Sequence, residues 1–243
     1  MNETLLGQAI PVLRNEVEVA AVQVLSPRVR RIDLRGDFIE RMRWYPGDKI
    51  KINVGGGTMR LYTPSRVDPA ARRMEVVAHV HGHGPGSRWV ERVRAGDAVS
   101  FIGPAHSMPI EFGPPPPWAL FFGDETALGL GQALIEGADP ETHIFGAVEL
   151  AREDLKAAAA MGLPLDAIAR GRVHGEALVD WLDYQSFPPG DGIVWLSGEA
   201  NSVLELRHAL MSRGIAPGAL RVKPYWSAYR KTGRRLVRSA LVA

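Results

Sequence analysis

Not one of the 243 residues is cysteine. Disulfides, thiolate metal sites and cysteine-ligated iron–sulfur clusters are therefore excluded. If the chain moves electrons, they travel on a non-covalently held organic cofactor. Long apolar runs are missing too. No eighteen consecutive residues are uninterruptedly apolar, so no membrane span is expected. Met1-Asn2-Glu3-Thr4 lacks the basic start and apolar stretch of an export signal, which leaves the cytoplasm as the expected compartment.

A dominant charge is also missing. The 29 basic residues nearly balance the 27 acidic ones, for a net of +2. The balance is uneven along the chain. Seven basic residues (Arg221, Lys223, Arg230, Lys231, Arg234, Arg235 and Arg238) and no acid lie beyond position 220, so the rest of the chain carries 22 basic against 27 acidic residues. A basic end on an acidic body suits an anionic partner, or else a solvated helix face. No nucleic-acid motif accompanies the patch, and no nucleic-acid role is expected.

What is present divides into two halves. Val17–Ala21, Val29–Leu34, Ile50–Val54, Met59–Thr63, Met74–Val80 and Ala98–Ile102 alternate or cluster with β-formers. Turns such as Pro46-Gly47-Asp48, Gly55-Gly56-Gly57 and Ala95-Gly96-Asp97 separate them. Six short strands at this spacing predict an antiparallel six-stranded barrel over 14–113. Pro114 to Pro117 then form a stiff spacer that a helix or central strand cannot absorb. From 117 to 243 the period changes. Trp118–Phe122 reads as a strand buried on both faces, and helical segments alternate with strands at 143–148, 193–197 and 220–223. That alternation predicts a parallel sheet with helical crossovers, an α/β domain of nucleotide-binding type with a basic tail.

Three stretches carry chemistry. In Arg60-Leu61-Tyr62-Thr63, residues two apart share a strand face. Arg60 can therefore hold a pyrophosphate bidentately while Tyr62 lies against a planar ring, and Thr63 can reach a ring nitrogen. His81-Gly82-His83-Gly84-Pro85-Gly86-Ser87 is a glycine-rich turn before an amphipathic segment. Its backbone can approach a phosphate at Gly84 and Gly86, with Ser87 capping the helix and His81 or His83 lining the turn. Gly123-Asp124-Glu125-Thr126 ends the buried strand of the second half, where ligands of open α/β sheets sit. There Asp124, Glu125 and Thr126 are expected at a flavin or nicotinamide edge. Ser197-Gly198-Glu199 and Glu149 end later strands in equivalent positions. In the tail, Lys223, Trp226, Arg230 and Lys231 mix cations with an aromatic ring and suit an anionic ligand. His79, His81 and His83 span about 13 Å along a strand, too far for one ion without a bend, and no metal site is expected among them.

These stretches together resemble the siderophore-interacting proteins, ferric-siderophore reductases within the ferredoxin–NADP reductase-like fold. The likeness runs over nearly the whole chain, through Val24–Ile32, Arg60–Arg66, His81–Trp89, Gly123–Ala127 and Ser197–Ala200. It implies FAD at Arg60, Tyr62, Thr63, His81, Gly84, Gly86 and Ser87, with Asp124, Glu125 and Thr126 beside the flavin. Electrons would come from NAD(P)H or a ferredoxin and pass to a ferric siderophore held by Lys223, Trp226, Arg230 and Lys231. No catalytic acid or base is assigned, because electron transfer proceeds through the flavin. His83 stands where the family carries an acid, and Ser227 where it carries an arginine after Tyr-Trp. Two other roles stay open: a general flavin or ferredoxin reductase, and a siderophore-binding module without catalysis.

Overall fold

In the computed structural model, residues 15–108 and 114–228 are described. The first half contains β1 (Asn15–Val24), β2 (Val29–Arg35), a short helix α1 (Asp37–Glu40), β3 (Lys49–Asn53), β4 (Met59–Tyr62), β5 (Pro64–Asp68), β6 (Arg73–His79), α2 (Pro85–Arg92) and β7 (Ala98–Ala105). The strands form one antiparallel sheet in the order β4-β3-β7-β1-β2-β6-β5. The sheet has seven strands, where alternation predicts six. The strand expected over Met59–Thr63 is β4, and the seventh strand, β5, follows it directly at Pro64–Asp68, where none was expected. Pro64 has no N–H to continue the ladder, so β4 pairs with β3 while β5 pairs with β6. Since β4 and β5 are the two edges of the sheet and Thr63 alone joins them, the sheet curls until its edges meet there. The inward positions of this barrel, among them Val19, Ile32, Leu34, Ile50, Ile52, Met74 and Phe101, are fully buried.

The second half contains β8 (Trp118–Asp124), α3 (Leu128–Gly137), β9 (His143–Leu150), α4 (Lys156–Ala160), β10 (Asp166–Ala169), α5 (Glu176–Asp183), β11 (Gly192–Glu199), α6 (Ala200–Ser212) and β12 (Leu220–Trp226). Its sheet is wholly parallel, in the order β10-β9-β8-β11-β12. β8 is buried at every position, as a strand with helices on both faces must be. β10 has no counterpart in the sequence reading, because four residues with two exposed alanine and aspartate side chains carry no apolar signal. Strand order reverses between β8 and β11, the position where open α/β sheets leave a crevice beyond their carboxyl ends.

The two halves share a core. Leu25, Val29 and Val77 of the barrel pack in one apolar cluster with Phe121, Leu128, Leu130 and Trp195 of the parallel domain. Polar links flank it. The Ser26 hydroxyl, the Arg28 N–H and the Arg28 Nε all donate to Asp154, at 2.6, 3.0 and 2.9 Å. On another side, Arg66 forms a two-pronged ion pair with Glu136. Burial works to raise the Asp154 carboxyl, but the Ser26 and Arg28 donors outweigh it and hold it below the usual aspartate range. A carboxyl depressed in the folded state stabilises above its ordinary pKa, near pH 4, and that contribution is lost as pH falls toward the depressed value. Asp154→Asn should therefore cost about 1–3 kcal/mol at pH 7 and flatten the acid limb of stability, as read by urea unfolding at pH 7 and pH 3.

Candidate functional site

Arg60, Tyr62 and Thr63 come to the domain boundary because the sheet edges meet there. Tyr62 packs against Trp89 of α2, ring centroids 5.7 Å apart. Burial pushes its phenol up to about 12 against the opposing pull of Arg60, so the ring stays neutral across the working range. Thr63 is buried, and its hydroxyl shares a hydrogen bond with Tyr225 of β12 at 2.5 Å. Burial likewise pushes the Tyr225 phenol up to about 12.

α2 begins at Pro85 with Gly84 as its N-cap and no side chain bonded to its first turn. The predicted cap, Ser87, lies inside the helix instead. Its hydroxyl accepts the His81 N–H at 3.0 Å and fastens the glycine turn onto the first helical turn. The sequence reading missed this start because Pro85 suits the first helical position as well as a turn. Gly86 lies directly under Arg60 and Tyr62. A Cβ there would sit 3.5 Å from Arg60 Cγ and 3.6 Å from the Tyr62 hydroxyl. The uncapped N-terminal turn, the adjacent guanidinium and the space left by a missing side chain together form a cradle for a phosphate.

Beyond the cradle opens a cleft of about 410 Å³ between the domains, within the range of cofactor sites. Arg60, Tyr62, Thr63, Val77, His79 and His81 line its barrel side. Thr126, Leu130, Lys223, Tyr225 and Trp226 line the other. An apolar slot with Arg60 and Gly86 at one end and Tyr62, Thr63 and Thr126 along it could take a flavin dinucleotide, whereas Gly84 and Ser87 do not line the cleft and the Ser87 side chain is buried against His81.

Asp124 and Glu125 are placed differently from Thr126. Asp124 accepts from the Thr126 N–H and hydroxyl and from Trp226 Nε1 at 2.8 Å. Burial raises its carboxyl despite those donors. It therefore orients Thr126 and Trp226 rather than facing the cleft itself. Glu125 turns toward the parallel domain, accepting from the Ala151 N–H and pairing with Arg170. Glu149 accepts the Gly175 N–H through both oxygens, and Glu199 caps α6 through the Asn201 and Ser202 N–H groups. Arg230 and Lys231 lie outside the described residues.

Lys49 is the cleft residue that sequence reasoning missed. It lines the cavity together with Lys223. Its ammonium is lowered by burial first and then by the charge of Lys223. Two like charges held close against a cavity form a ready site for an anion. The alternation of Lys49-Ile50-Lys51-Ile52 puts both lysines on one strand face, but only the tertiary fold selects Lys49.

The profile described as siderophore-interacting protein matches residues 116–229, and that described as siderophore-interacting FAD-binding domain matches 54–108. An uncharacterised protein of Mycobacterium tuberculosis is 28% identical over 184 residues, 69% of this chain and 64% of that protein. The matched region thus spans under two thirds of the curated relative. Among solved structures, a siderophore utilization protein from T. fusca is 26% identical, with a TM-score of 0.75 over 92% of this chain and 96% of that one. The siderophore-interacting protein SipS from Aeromonas hydrophila is 22% identical, with a TM-score of 0.74 over 90% and 93%. The ferredoxin reductase in carbazole 1,9a-dioxygenase is 16% identical, with a TM-score of 0.74 over 90% and 71%. The last two show the fold alone: an antiparallel barrel followed by a parallel sheet, as in ferredoxin reductases.

Proposed function

The chain belongs to the siderophore-interacting protein family, and from that premise we propose that it is an FAD-dependent reductase passing electrons from NAD(P)H or a ferredoxin to a ferric siderophore. One observation carries the reading: Arg60, Tyr62, Thr63 and the open first turn of α2 converge on one wall of a cleft whose opposite wall presents Thr126, Lys223 and Trp226. FAD, when bound, supplies the exchange between two-electron and one-electron transfer. The residues of the chain bind, orient and shield it. Arg60 and the α2 amides neutralise the diphosphate, Tyr62 and Leu130 exclude water from the ring, and the Thr63–Tyr225 pair places a hydroxyl at the domain seam.

Two electrons reduce two ferric ions, and each ferrous ion, softer and less charged, is held less firmly by hard oxygen ligands. Lys49 and Lys223 would receive the anionic chelate, with Trp226 beside them. The cytoplasmic setting is part of this proposal. No helix among the described residues is long and apolar enough to cross a membrane.

Purified protein should be yellow or take up FAD stoichiometrically. Once reduced anaerobically, it should be reoxidised faster by ferric siderophores than by ferredoxin or quinones. Protein that binds no FAD overturns the reading. Preference for ferredoxin or quinones moves it to a general reductase, and tight siderophore binding without flavin to a binding module. Lys49→Ala should weaken ferric-siderophore binding by about 3–10-fold, corresponding to about 0.7–1.4 kcal/mol. It should leave FAD affinity unchanged, as measured by fluorescence quenching at low and high salt.

A further inference from the structure

The spacing of His79, His81 and His83 along one strand argues against a shared metal ion, but the tertiary fold brings His79 different companions. His79 ends β6 and lines the cleft. Both of its ring nitrogens are buried, and neither has a hydrogen-bond partner. A buried imidazole with no partner calls for one. Facing it across the domain boundary are Glu125 and Asp154, and one donor atom from each of the three lies within 4.8 Å of the others.

The carboxylates keep capacity for a further partner. Asp154 Oδ1 accepts from the Ser26 hydroxyl and the Arg28 N–H, but Oδ2 from Arg28 Nε alone. Glu125 Oε1 accepts from the Ala151 N–H and Arg170, but Oε2 from Arg170 alone. Further acids crowd the same edge. Asp124, Glu125, Glu149 and Asp154 are all buried at this edge. Among the described residues, the guanidinium groups paired with them are Arg28 and Arg170. His81 stands next to His79, its ring 6.1 Å away. An orphaned nitrogen donor and two carboxylate oxygens with free lone pairs together describe a coordination site.

We propose that His79, Glu125 and Asp154 bind one divalent transition-metal ion across the boundary between barrel and parallel sheet. A set of one imidazole and two carboxylates suits zinc or ferrous iron over magnesium or calcium, which favour oxygen alone. Metal–ligand bonds of about 2.0–2.2 Å bring donors to about 3.0–3.5 Å from one another, so the three side chains close by about an ångström on binding. Ferrous iron is also the product of the proposed reaction, released in the adjoining cleft. That identification rests on the proposed function, while the site itself does not.

Chelator-treated full-length protein is titrated with Zn2+, with Fe2+ under anaerobic conditions and with Mg2+, using calorimetry. Zn2+ and Fe2+ are expected to bind one per chain, Mg2+ at least about a hundredfold more weakly. His79→Val and His79→Gln should each weaken Zn2+ by at least about a hundredfold, no less than the loss of an outer-shell partner causes. The His79 ring resonances of wild-type protein should shift on addition of Zn2+ while those of exposed His208 stay in place, as read by NMR of the imidazole groups. Absence of binding, binding unaltered in both variants, or His79 resonances unmoved by Zn2+ overturns the proposal. A yellow, FAD-loaded protein that takes no metal defeats this site alone. A colourless protein that takes one metal through His79 defeats the reductase reading alone.

Discussion

Arg60→Ala is expected to weaken FAD binding by about 10–100-fold, the worth of a charge-assisted contact of about 1.5–3 kcal/mol, while the apo-protein unfolds as before. The side chain is exposed, and its one hydrogen bond among the described residues runs to its neighbour's carbonyl, Met59 O, at 2.9 Å. It therefore holds nothing of the fold together. Its aliphatic stem lies over Gly86 at the open start of α2, where a diphosphate would otherwise meet partial charges only. Purified variant protein should emerge pale and recover its colour only in excess FAD. FAD affinity equal to wild type would remove Arg60 from the site, whatever the fate of the wider reading.

Gly146→Ala is expected to abolish a stable parallel domain, with a loss above about 4 kcal/mol. Gly146 lies in β9, directly opposite Phe121 of β8, with φ at +146°. A Cβ there would sit 2.1 Å from the Phe121 carbonyl oxygen and 2.8 Å from its nitrogen. Both obstacles are backbone in the centre of the sheet, so no rotamer change relieves them. Because β8 ends at Asp124, which orients Thr126 and Trp226 at the cleft, loss of FAD binding should accompany loss of folding. Soluble yield and the urea midpoint are the measurements. A variant that folds with a wild-type midpoint would show that these two strands can part without cost.

The outcomes at particular residues show what was readable. That Arg60, Tyr62 and Thr63 share one wall of the cleft was readable, because residues two apart on a strand share a face and the glycine turn follows. The barrel-then-sheet order is legible too, since hydrophobic period changes across the proline spacer. Thr63 as a break between two strands is not legible, because a β-branched residue before proline suits either a strand or its end. Asp124 and Glu125 look alike as neighbours in one loop. Only the folded chain shows that one organises Thr126 and Trp226 at the cleft while the other faces Arg170.

By itself the sequence determined the class of chemistry and the order of the architecture, because composition, period and local spacing are properties of neighbouring residues. It determined that no thiol carries electrons and that a β domain precedes an α/β domain, and it drew attention to the glycine turn at Gly86. Tertiary structure alone decided that Lys49 joins Lys223, that Tyr225 meets Thr63, and that His79 faces two acids from the other domain. Partners 46 to 174 positions apart in the sequence leave no local periodicity; they become neighbours only when two separately patterned domains bury a common apolar face.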